Sequence, residues 1–252
     1  MTIFRLIIRG AAFHRRAHLG VLAGAMLAAA VLSGALLVGD SVRHSLARSA
    51  SLRLGGIRHA LSTGSRFFAQ DLARRFEAAS GARAAPALLL RGEAMRPGGD
   101  VGGERQVNSV QVIGMGADFA APGSAPRPGG AVLNAKLAAS LGVGPGDRIS
   151  IRIEKPSLLP RDAPLSSRRD DGTARGALVV ESIMPDDLLG RFSLRANQVA
   201  PFNLFVDLSW LQELAGLGGK VNLLASREES LTAPQLNAAL ANAWRLEDAA
   251  LA

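Results

Sequence analysis

A mixed α+β domain carried on a single N-terminal membrane helix is the architecture this sequence predicts. Three observations predict it. Leu19–Gly39 is a run of 21 positions without a charge. At about 1.5 Å per residue it is long enough to cross a bilayer core of roughly 30 Å. The ~210 residues that follow suffice to bury one core. Along them, segments with apolar residues on one helical face are interleaved with short strand-like runs, punctuated by Gly and Pro.

The N-terminal segment alternates apolar and basic residues at loosely helical spacing, the pattern of a helix lying in the membrane interface. Within the span, Gly20, Gly24 and Ala28 recur every four residues. That is either a face for close approach of another helix or simply an Ala/Gly-rich span. Asp40–Leu54, apolar at Val42, Leu46, Leu52 and Leu54, is expected to extend the helix as a stalk until Gly55–Gly56 breaks it. The expected organisation is a basic segment at 1–18, the span at 19–39, a helical stalk at 40–55 and the folded domain at 56–252. A cleaved signal peptide is the competing reading of the N-terminus. The apolar run exceeds the roughly 7–15 residues of a signal core, although Ser33–Ala35 offers small residues for cleavage.

In the domain, Ile57–Thr63 reads as a strand. Ser65 is expected to cap a helix running to about Ala79, with Phe68, Leu72 and Phe76 inward and Gly81 stopping it. Ala84–Met95 and Arg105–Met115 read as two strands around a Gly-rich turn, and Pro122–Gly130 as a linker. Asn134 is expected to cap a short helix, with Leu137 and Leu141 inward and Gly142 closing it. Val143–Asp147 reads as a turn and Arg148–Glu154 as an alternating strand. Ala177–Met184 is a further strand. Phe202–Leu208 is a strand leading into a helix with a capping box at Ser209–Gln212. Val221–Ala225 returns as a strand, and Thr232–Gln235 is a second capping box, whose helix buries Leu236, Leu240 and Trp244. Lys155–Gly176 has three prolines, charges of both signs and no periodicity. A loop of that length is either functional or unstructured. It reads as a partner-protein contact through Arg161, Arg168 and Arg169, or as a solvated hairpin tip.

The net charge of +8 does not indicate nucleic acid. Arg5, Arg9, Arg15 and Arg16 contribute half of it before the span, and the remaining excess is spread thinly. Tyrosine is absent and aromatics are 4% of the chain, so base-stacking platforms are not expected. With no cysteine there are no disulfides, thiolate metal sites or cysteine nucleophiles. No G-x-x-x-x-G-K-[ST] phosphate loop and no G-x-S-x-G elbow occurs. The histidines, His14, His18, His44 and His59, have no Glu-x-x-His partner. Gly142–Asp147 reads as turn chemistry, not a nucleotide fingerprint, and Asp186–Asp187 as loop residues. No catalytic, cofactor-binding or metal-binding residue is nominated, and enzyme activity is not expected.

Three stretches resemble the N-terminal part of ABC-transporter permeases of the FtsX-like, MacB-type superfamily. They are the basic N-terminus and span followed by VGDSVRHSLARSASLRLG (38–55), VLNAKLAASLGVGPGDRISIRIEKP (132–156), and GRFSLRANQVAPFNLFVDLSWLQELAGLGGKVNLLA (190–225). The resemblance implies a first membrane helix in the cytoplasmic (inner) membrane and an extracytoplasmic, MacB-like core domain at 56–252. It also implies a cytoplasmic ABC ATPase as partner, contacts with membrane lipid, and either further permease helices or a second permease copy. No cofactor is implied for this chain. Such permeases couple ATPase closure to an outer domain and move lipoproteins, peptides or drugs, or activate cell-wall enzymes. The four arginines before the span favour a cytoplasmic N-terminus, against Arg43, Arg48, Arg53 and Arg58 on the other side. No second span follows Gly39, and the outer domain is expected to be incomplete. A fragment of a longer product, a split permease and a remnant are the readings of that departure. Two other functions suit the pattern: a membrane-anchored sensory or ligand-binding domain, and an envelope adaptor docking through the 155–176 loop.

Overall fold

The computed structural model describes residues 3–98, 103–119, 125–155, 172–195 and 199–249. The chain divides into two units, Met1–Ala50 and Ser51–Ala252.

The first unit is helical. It holds α1 (Ile3–Phe13) and all but the last turn of α2 (Arg15–Leu54). On α1, Ile3, Ile7 and Ala11 share one side and Arg5 and Arg9 the other, as residues four apart must. Helix α2 runs 40 residues, about 60 Å, through the uncharged segment, and none of its residues is buried. It is long and apolar enough to cross a membrane. A continuous apolar cylinder of this kind is stable only where lipid or other helices cover it.

The second unit is sheet-rich. Its elements are β1 (His59–Ser62), β2 (Phe68–Ala69), α3 (Leu72–Ser80), β3 (Ala85–Arg96), β4 (Arg105–Met115), β5 (Gly130–Asn134), α4 (Ala135–Leu141), β6 (Arg148–Glu154) and β7 (Thr173–Met184). A π turn (Asp186–Gly190), β8 (Asn203–Asp207), α5 (Leu208–Ala215), β9 (Lys220–Val221), β10 (Leu223–Ser226), α6 (Ala233–Ala243) and a 3₁₀ turn (Leu246–Ala249) follow.

Six strands close into a ring in the order β3-β4-β8-β5-β7-β6, with β6 returning to β3. Pairs β4–β8 and β5–β7 are parallel and the other pairs of the ring antiparallel. Closure is possible because β3 is long enough to serve two neighbours on one edge. Ala85–Ala87 pair with β10, and Gly92–Met95 pair with β6. A bulge between Gly92 and Ala94 bends the strand there. Gly92 is needed at the bend, since a Cβ would stand 2.5 Å from the Arg152 carbonyl oxygen. A closed ring leaves none of its strands with an open edge.

Alternation along the strands separates two cores. Ile149, Ile151 and Ile153 of β6 are buried while Arg148 and Glu154 are exposed, so the isoleucines face into the ring. Leu178, Val180, Leu204, Val206, Val110 and Val112 join them, continuous with Leu137 of α4 and Leu211 of α5. The opposite faces of β4, β5, β8 and β10 carry Ile113, Val132, Phe205 and Leu223. These are covered by Ile57, Leu189, Phe119 and Phe192, the two phenylalanines meeting edge to face at 5.7 Å. Each buried phenylalanine contributes roughly 1.5–3 kcal/mol.

The domain is the α+β class the pattern predicts, and most predicted elements fall where expected. Four differ. Ser65 caps nothing: Thr63 Oγ1 donates to the Arg66 carbonyl, Phe68–Ala69 pairs with β9, and the helix begins at Leu72. The fully buried β5 was hidden between linker and cap, because three apolar residues without alternation carry no period. Residues 173–176 belong to β7, paired with Ile151–Glu154, and not to the long loop. Helix α5 is capped by Asp207, which accepts from the Trp210 N–H at 2.9 Å, and not by Ser209. The second capping box is present as read, with Gln235 accepting from the Thr232 N–H.

Candidate functional site

The second unit opens with the last turn of α2 and the two glycines that end it. Helix α2 ends at Leu54. Gly55 and Gly56 follow with φ of +57° and +81°, a region where a side chain costs energy. The Gly55 N–H still donates to the Ser51 carbonyl and the Ile57 N–H to the Leu54 carbonyl, so the helix unwinds within one turn. Ile57 is then buried, and the Arg58 N–H donates to the Ser226 carbonyl at 2.9 Å, which starts the β1–β10 ladder.

The π turn packs on this exit. A Cβ on Gly55 would collide with the Leu188 carbonyl oxygen and stand 2.5 Å from Leu189 Cδ2. The Ser193 N–H donates to the Arg53 carbonyl at 3.1 Å. The same segment is held to the ring by two buried amides. Asn134 Nδ2 donates to the Gly190 carbonyl (2.8 Å) and the Pro201 carbonyl (2.9 Å). Its Oδ1 accepts from the Leu137 N–H (3.0 Å) and the Asn203 N–H (3.2 Å). Asn203 Nδ2 donates to the carbonyls of Gly190 (3.2 Å) and Phe192 (2.9 Å), while its buried Oδ1 has no hydrogen-bond partner. Residues 185–193 therefore connect Arg53 and Gly55 to β5 and β8 through backbone bonds and side-chain amides. Breaking one of these bonds would strand a buried polar group, at a cost of about 1–3 kcal/mol.

Two further polar anchors hold the periphery. Asn222, between β9 and β10, bonds both the N–H (2.8 Å) and the carbonyl (2.9 Å) of Leu89. Asp248, wholly buried, takes both oxygens to Arg75 at 2.6 Å.

Among the described residues no group of three or more His, Cys, Asp and Glu side chains converges on a metal position. An open cleft of about 510 Å³ is lined by Ile57, Glu77, Arg83, Asp118, Phe119 and Arg227. Glu77 there accepts from the Ala84 N–H, and Arg227 donates to the Phe119 carbonyl. Nearby, hydrogen bonds from the Ser230 side chain and backbone hold the exposed Glu228 carboxyl below the usual range. Arg161, Arg168 and Arg169 of the expected contact loop, and residues 122–124 of the expected linker, lie outside the described residues. Asn203 and Asn222 were not foreseen as anchors. Their signal is a lone Asn inside an apolar strand run, in FNLF (202–205) and VNLL (221–224).

No family model matches this chain, and no curated protein matches it. Among solved structures, it is similar to the periplasmic region of MacB from Actinobacillus actinomycetemcomitans. That match has a TM-score of 0.43 and 11% identity, covering 74% of this chain and 83% of the other. It is also similar to the extracellular domain of the noncanonic ABC-type transporter YknZ from Gram-positive bacteria. There the TM-score is 0.42 and the identity 9%, covering 72% of this chain and 88% of the other. No residue role is carried across at these identities.

Proposed function

We propose that this chain is a permease component of an ABC-type export or mechanotransmission system. In this reading α2 spans the cytoplasmic membrane, the ring domain lies outside, and a separate cytoplasmic ATPase supplies the work. One observation carries it. A single helix runs unbroken from Arg15 through the uncharged segment to Leu54, and its last turn is bonded into the folded unit at Arg53. The three stretches that resemble the permease superfamily support it; the second runs through β5, α4 and β6, and the third contains β8, α5 and β9 and enters β10. The arginines ahead of the span support an N-terminus inside. Movement of α2 along its axis would load Gly55 and the π turn first, and through Asn134 and Asn203 the ring.

The test is affinity purification of the tagged chain from its native membranes in mild detergent, with and without a non-hydrolysable ATP analogue. Retention of an ABC ATPase together with further membrane helices is expected. Recovery of the chain without any ATPase in either condition contradicts the proposal. A sensory reading is favoured by the cleft beside Ile57 and Arg227, next to the helix exit. Ligand-induced stabilisation of the chain in the absence of any transporter partner would support that reading instead.

A further inference from the structure

We infer that α1 docks on an anionic lipid surface, with Arg5 and Arg9 on lipid phosphates and Ile3, Ile7 and Ala11 in the acyl boundary. Helix α1 is set off from α2 by a one-residue break at His14. Nothing in its unit covers its apolar side chains: Ile3 is 80% exposed, Phe4 73% and Phe13 84%. Arg5 and Arg9 are four apart and share the face opposite Ile3 and Ile7. Arg15 and Arg16 extend the basic cluster, and the first acid in the sequence is Asp40. The uncharged run begins at Leu19, about 9 Å of helix beyond Phe13, so the C-terminal end of α1 is held close to the membrane surface once that run is inserted.

A protein groove would cover the apolar side, but would need acidic side chains of its own to pair four guanidinium groups. A lipid surface satisfies both faces, and guanidinium pairs phosphate in bidentate geometry. The charge balance selects anionic over zwitterionic lipid. The inference needs only that α2 be inserted, and stands or falls apart from the permease reading.

The chain lacks cysteine, so Ala11→Cys in the full chain carries one environment-sensitive fluorophore. The protein is reconstituted into vesicles of phosphatidylcholine, and of phosphatidylcholine mixed with phosphatidylglycerol. Flotation verifies insertion, and emission from Trp210 and Trp244 verifies folding of the second unit. Phosphatidylglycerol is expected to protect the dye from an aqueous quencher. Arg5→Gln with Arg9→Gln is expected to lower the docked-to-undocked ratio about fivefold per arginine. Raised salt should act in the same direction. Equal protection in the two lipid mixtures overturns the inference, as does protection unchanged by the double substitution. Protection that grows with the protein-to-lipid ratio also overturns it, since a second copy would then be the cover.

Discussion

Gly55→Ala perturbs the exit of α2 in two ways at once. The residue sits at φ +57°, where a Cβ costs about 1–2 kcal/mol. That Cβ would also meet the Leu188 carbonyl oxygen, which is backbone, and the Leu189 side chain, which is buried and has little room to turn away. Overpacking of this kind costs about 1–3 kcal/mol, so the total is roughly 2–5 kcal/mol. Gly64 separates the two contributions. It has φ +66° with nothing within 4 Å of its Cβ position, so Gly64→Ala carries the conformational cost alone. Equilibrium guanidinium denaturation of the full chain in detergent micelles, followed by tryptophan emission, reads the second unit. Both tryptophans of the chain, Trp210 and Trp244, belong to it. The midpoint for Gly55→Ala should fall well below that for Gly64→Ala, with similar slopes. Equal midpoints would refute the packing of the π turn on the helix exit.

Three other substitutions probe the same network and its surroundings. Asn134→Ala removes both donors and the acceptor of the buried amide and should cost about 3–5 kcal/mol in the same assay. Asn134→Asp faces two carbonyls with a carboxylate. Its folded-state pKa is therefore raised, and its deficit relative to the parent should shrink as pH falls from 7 to 4. Asp248→Asn breaks the two-pronged bond to Arg75, which keeps some solvent access at 22% exposure, so a loss of about 2–3 kcal/mol is expected. Gly176→Ala places a methyl 2.7 Å from the Trp210 ring and should shift tryptophan emission while lowering the midpoint by about 1–3 kcal/mol.

Local signals located most elements, and long-range pairing escaped them. The 21-residue uncharged run marked the helix, Gly81 and Gly142 marked helix ends in the left-handed conformation, and Thr232–Gln235 marked a capping box. Closure of the ring was not legible, because it depends on β6 finding the second half of β3 across more than fifty residues. The helix exit was half legible. Gly55–Gly56 announced a break, but the partner that makes Gly55 obligatory is Leu188, far along the chain and in no regular pattern. Asn134 was read only as a cap. Its second role, holding Gly190 and Pro201, exists only once β5 and β8 lie side by side.

The side of the membrane on which the ring domain lies is the claim on which the mechanism depends. Ala241→Cys places a thiol on the exposed face of α6 in a chain that has no other. Intact cells expressing it are treated with a membrane-impermeant maleimide, with lysed cells as the accessibility control. Labelling in intact cells is the predicted result and puts the domain outside, as the proposed coupling requires. Protection until lysis would put the domain in the cytoplasm and contradict the coupling mechanism.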